Sequence, residues 1–204
     1  MSREAKQRAL EELRGQVARL EMELSQEQRV GQWPPRGYYT AYHVLAGFVL
    51  GMLGAGTSLL FNVIGSLLVG QHPLQLIRVY LTFPLGEDAL TIDGGVTLAV
   101  GCCLYLCTGM LLGIPFHLLL TGKLAKASYV ARLLGVSALA LAIWLLNFYV
   151  LLSWLQPLLF GGNWIVHLIP WWVALLTHLV FGWTMLLVQP LGEFVPYGTK
   201  LEDR

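Results

Sequence analysis

Leu10, Leu13, Val17, Leu20 and Leu24 recur at alternating steps of three and four, the a/d spacing of an apolar helical seam. The pattern predicts an amphipathic helix over about residues 3–29, closed by Gly31 and by Pro34-Pro35. Acidic and basic residues share its other faces, and Glu4 and Arg8 are spaced for an i,i+4 pair. Two readings fit: a short coiled coil joining protomers or a partner subunit, and a solvated or membrane-surface helix with one apolar edge. Arg14, Gln16, Glu21 and Glu23 at the e and g positions are too mixed to specify a partner.

Beyond this block the pattern changes to four long apolar runs almost free of charge, over about 39–70, 96–120, 127–155 and 164–188. About 20 apolar residues cross the roughly 30 Å hydrocarbon core of a bilayer, so each run predicts a transmembrane helix. The first would reach roughly 45 Å as a straight helix, and must tilt, bend or project. Pro115 and Pro170 are expected to bend the second and fourth. Trp33, Tyr38, Tyr39 and Tyr42 mark one interfacial aromatic belt, and Trp154, Phe160, Trp164, Trp171 and Trp172 mark the other.

Between the first two runs, Pro73 opens a short amphipathic segment with Leu74, Ile77 and Leu81 on one face and Arg78 on another. An interfacial helix broken at Pro84-Leu85-Gly86 is expected there. Glu87, Asp88 and Asp93 follow with no recognisable cation-ligand loop around them, and read as a solvated acidic loop. The expected fold is thus an all-α membrane protein: a four-helix transmembrane bundle with an N-terminal amphipathic or coiled-coil helix and a short interfacial helix after the first span. It divides into a cytoplasmic helix (1–32), a four-span domain (33–194) and a tail (195–204).

Charge orients the spans. The loop from Lys123 to Arg132 is short and basic, Gln156–Asn163 carries no charge, and the first connecting loop has one Arg against three acids. Positive-inside counting places both termini and the 121–131 loop in the cytoplasm; a bacterial inner membrane is the expected host. Composition agrees, since 56% hydrophobic and 12% charged residues are too apolar for an ordinary soluble domain. A net charge of +1 gives no case for nucleic-acid binding. Met1–Arg29 lacks the apolar stretch of a secretory signal. Cys102, Cys103 and Cys107 lie in one span and match neither a disulfide framework nor, with only His167 to add, a four-ligand zinc site. They are expected to be buried, inert thiols.

Ionisable groups inside a membrane are costly and therefore candidates for function. Asp, Glu and Lys are absent from the middle of every run. That counts against cation-coupled transport, a paired-carboxylate hydrolase or a di-iron bundle. Histidine remains. Aligned by topology, His43 and His117 fall within about a turn of one depth near the cytoplasmic ends of their helices. Such a pair suits a six-coordinate haem b or an interfacial metal; two imidazoles that hydrogen-bond water or lipid are the competing reading. His178 lies near the midplane, as do Asn147, Thr57 and Thr108. These four are expected to form an interhelical polar layer, in which His178 is also a candidate proton relay or quinone donor. Gly47-x-x-x-Gly51 and Gly109-x-x-x-Gly113 have the spacing that lets helix backbones approach, with packing inside the chain favoured over homodimerisation.

The favoured function is non-enzymatic: a structural or accessory subunit of a larger membrane complex, without a cofactor, in contact with the bilayer and with other membrane subunits or a second copy. An electron-transfer subunit holding haem b or a quinone is the alternative, and a small transporter or channel the third reading.

Overall fold

A computed structural model describes residues 11–23 and 36–194, with side chains from Glu11 to Glu23 and from Tyr39 onward. Contacts divide the chain into two units, Met1–Tyr38 and Tyr39–Arg204. In the first, residues 11–23 form helix α1, along which Leu13, Val17 and Leu20 are exposed. The ends of the predicted seam (Leu10, Leu24), the Glu4–Arg8 pair, the Gly31 and Pro34-Pro35 stop, Trp33, the Tyr38 side chain and the tail 195–204 lie outside the described residues.

All regular structure among the described residues is helical. Four helices are long and apolar enough to cross a membrane: Tyr39–Leu68, Val96–Thr121, Tyr129–Phe160 and Trp171–Gly192. The first lies within α2 (Arg36–Leu68). Its exposed face carries Leu45, Val49, Met52, Leu53, Leu60 and Ile64, while Leu50, Ala55, Ser58 and Asn62 are buried.

Gly47 and Gly51 of α2 meet Gly109 and Gly113 of α4 (Val96–Thr121), so the two small-residue motifs face each other inside one chain. A Cβ on Gly47 would lie 3.0 Å from the Ile114 Cα, and one on Gly51 would lie 2.8 Å from the Met110 Cα. Such backbone contact is open only to residues without side chains. One turn further along α2, Gly54 seats the Phe181 ring of α8 (Trp171–Val188). Leu50, Phe116, Leu120, Val136, Phe181 and Met185 complete the core at this end of the bundle.

The connection between the first two long helices holds the short helix expected there. Helix α3 (Gln75–Leu85) packs closely against the rest of the chain: Ile77, Val79, Leu81 and Thr82 are buried, and so is Arg78. Gly101 of α4 provides a seat, since a Cβ there would stand 2.7 Å from Ile77 and 2.8 Å from Leu81. On the other side Val79 packs with Trp144, Phe148, Ile165 and Ala174. The Arg78 guanidinium pairs with Asp93, and its Nε donates to the Ile92 carbonyl at 2.6 Å. Asp93 is therefore one half of an ion pair rather than simply part of a solvated acidic loop. The helix runs through Pro84 and stops at Gly86, whose φ of 69° suits a residue without Cβ.

The third long helix runs past the expected residue 155, through α5 (Tyr129–Leu145), a π turn (Leu146–Leu152) and α6 (Ser153–Phe160). The fourth begins later than expected. Trp164–Leu168 form a separate short helix, α7, and Pro170 with its extended predecessor Ile169 separates it from α8. Pro170 breaks the segment where a bend was expected, because a residue before proline is pushed out of the helical region. Pro115 sits inside α4 without ending it.

Candidate functional site

His43 lies one turn before Gly47 on α2, and His117 one turn after Gly113 on α4. The glycine contact thus carries the two imidazoles together. His43 Nδ1 and His117 Nε2 are 3.4 Å apart, a long ring-to-ring hydrogen bond, with centroids 5.5 Å apart and planes tilted by 45°. His117 is fully buried, and its Nδ1, beside the Gly192 backbone, makes no hydrogen bond of normal geometry. The ring fits there because residue 192 is glycine: a Cβ would stand 2.7 Å from His117 Cε1.

This arrangement does not fit a haem. Two axial imidazoles must stand on opposite faces of the porphyrin with the iron between them. Here the rings touch directly, and the backbones of α2 and α4 are in contact one turn away, leaving no slot for the macrocycle. For a metal ion, zinc sites take at least three protein ligands, and no group of three or more His, Cys, Asp or Glu gathers among the described residues.

Beside His43 opens a pocket of about 330 Å³. Its polar lining includes Thr121, Arg132, Gln189 and Glu193, and Tyr39 and Phe194 contribute aromatic walls. Each comes from the end of a long helix or the turn just beyond it. Arg132 Nη2 donates to Gln189 Oε1, and Gln189 Nε2 donates to Glu193 Oε1 at 3.0 Å. Gln189 is itself buried, which orients this relay of opposite charges. Arg132 Nε is buried and has no hydrogen-bond partner among the described residues. Tyr39 and Phe194 meet edge to face at 4.9 Å, and Tyr42 adds a second such contact with Phe194 at 5.1 Å.

The four residues expected to form a polar layer are not joined to one another by hydrogen bonds among the described residues. Thr57 is exposed and bonds back to the Leu53 carbonyl. Thr108 donates to the Leu104 carbonyl and meets the Tyr80 hydroxyl of α3 at 2.7 Å. His178 Nδ1 donates to the Ala174 carbonyl at 2.8 Å, which in the neutral ring makes Nε2 an acceptor. Asn147 is half-buried in the π turn.

A different set ties the helices. Ser58 Oγ meets the Tyr105 hydroxyl at 2.9 Å, joining α2 to α4. Asn62 Nδ2 donates to Thr177 Oγ1 at 2.9 Å, joining α2 to α8. Gln156 of α6 donates to Thr82 of α3 at 3.0 Å and accepts from the Ile165 amide of α7. A signal for the first two was present, since Ser58 and Asn62 extend the Gly47, Gly51, Ala55 face by further steps of three and four. Of the cysteines, Cys103 and Cys107 point out of the bundle and only Cys102 is partly buried.

No protein-family model matches the chain, and neither does any curated protein or solved structure.

Proposed function

We propose that this chain is a non-enzymatic membrane subunit, a rigid scaffold that other membrane components pack against. The observation that carries the reading is how its polar groups between helices are used. The Ser58–Tyr105, Asn62–Thr177, Tyr80–Thr108 and Thr82–Gln156–Ile165 sets each tie one helix to another. Such ties set helix register and rotation. They hold in place the broad apolar face of α2, from Leu45 to Ile64, which is left for lipid or a neighbouring subunit to cover. The basic Lys123–Arg132 segment supports an orientation with both termini in the cytoplasm.

Photo-crosslinking from positions 60 and 64 in native membranes, followed by mass spectrometry, tests the reading. A stoichiometric protein adduct that survives detergent extraction is the expected result. Adducts to lipid alone, or solute flux through the purified chain in liposomes, would overturn it.

A further inference from the structure

We infer that the pocket beside His43 holds the headgroup of a zwitterionic phospholipid, with the phosphate on Arg132 and the amine between Glu193 and the Tyr39–Phe194 walls. Four independent features converge on that chemistry.

Arg132 has a buried Nε with no acceptor among the described residues, although Nη2 is satisfied by Gln189. A guanidinium in this state calls for an anionic oxygen, and phosphate matches its planar fork of donors. Glu193 supplies the opposite charge across Gln189, which holds one carboxylate oxygen at 3.0 Å, so that the lining has, among the described residues, one Arg and one Glu. That balance fits a molecule bearing both charges better than an anion or a neutral quinone. Tyr39 and Phe194 set an edge-to-face aromatic corner in the same wall, and aromatic faces attract ammonium groups.

Depth is the fourth feature. Tyr39 opens the first membrane-length helix, Thr121 closes the second, Arg132 is in the first turn of the third, and Gln189 is in the last turn of the fourth. The pocket therefore lies where helices leave the hydrocarbon, the level of lipid phosphates. Next to it in sequence, Val130, Leu134, Leu187 and Leu191 are exposed apolar positions suited to acyl chains. A volume of about 330 Å³ accommodates a phosphoethanolamine or phosphocholine head.

Native mass spectrometry of the purified full chain tests the assignment, with phosphatidylethanolamine, phosphatidylcholine and phosphatidylglycerol offered in equal amounts. One zwitterionic lipid retained per chain is expected. Arg132→Gln should lower its retention about tenfold, the worth of one charge-assisted contact. Glu193→Gln should cut the ratio of phosphatidylethanolamine to phosphatidylglycerol retained about tenfold, because the amine loses its counter-charge. The ratio is the decisive readout, since Lys123 and Lys126 attract anionic lipid to the same end in native and variant protein alike. Glu193 is exposed, so its variant retains the fold even where the Arg132 variant does not; helix content by circular dichroism checks both. An unchanged lipid ratio in folded Glu193→Gln protein would overturn the assignment. So would a quinone retained in place of phospholipid, or soluble phosphoethanolamine binding as tightly as the lipid.

Discussion

At the scale of single residues, the absence of a side chain does as much as its presence. Gly51 lies on the α4 backbone, whereas Gly56 on the same helix has open space around its Cα. Gly51→Val should push α2 from α4 and lower stability by about 1–3 kcal/mol through overpacking. Gly56→Ala should be neutral or stabilising, by up to about 1 kcal/mol, because a mid-helix glycine gains helix propensity on becoming alanine. Thermal midpoints in one detergent compare the two, and equal losses would contradict the packing. The Asn62–Thr177 bond is a second case. Asn62→Leu should cost about 1 kcal/mol, within the range of interhelical hydrogen bonds in membranes. The spacing of the glycines was legible in the sequence, and so was the shared depth of His43 and His117. Which way each helix is turned was not. Thr57 and Ser58 are neighbours in the chain, yet only Ser58 faces the bundle interior.

Among the elements, α3 shows most clearly what tertiary context adds to local pattern. Its Leu74, Ile77, Leu81 face with a charged Arg78 reads as an interfacial helix. The bundle encloses it because Gly101 leaves a recess on α4 and because Asp93 and the Ile92 carbonyl satisfy the arginine. A buried guanidinium without such partners would be strongly unfavourable. Arg78→Gln should therefore loosen α3, seen as faster hydrogen exchange across residues 77–82 with little change in α8. Asp93 is largely exposed and asparagine keeps an oxygen acceptor for Arg78, so Asp93→Asn should have a smaller effect than Arg78→Gln. The sequence also suggested one fourth helix bent at Pro170. The break between α7 and α8 follows from the restriction proline places on Ile169.

For the molecule as a whole, the contact of His43 with His117 bears on readings that the sequence left open. A helix pair closed by four glycines has no room for a porphyrin. The purified chain should accordingly show no haem band in a reduced-minus-oxidised spectrum. A band that disappears in His43→Ala and His117→Ala would mean that α2 and α4 stand apart in the membrane. The same glycine contact leaves the end of the bundle to the Arg132–Gln189–Glu193 relay, in which Arg132 lies far in sequence from the Gln189–Glu193 pair and no motif marks the set.

What the sequence alone determined was the number of membrane-length helices and their approximate ends. Hydrophobic length is a local property, read directly against the thickness of the bilayer. Only the tertiary structure decided which faces meet, that a connecting segment is taken inside the bundle, and that four helix ends close around one charged pocket. Those outcomes depend on rotation about each helix axis, which small residues and a few buried hydrogen bonds select and which apolar runs exposed on most sides leave undetermined.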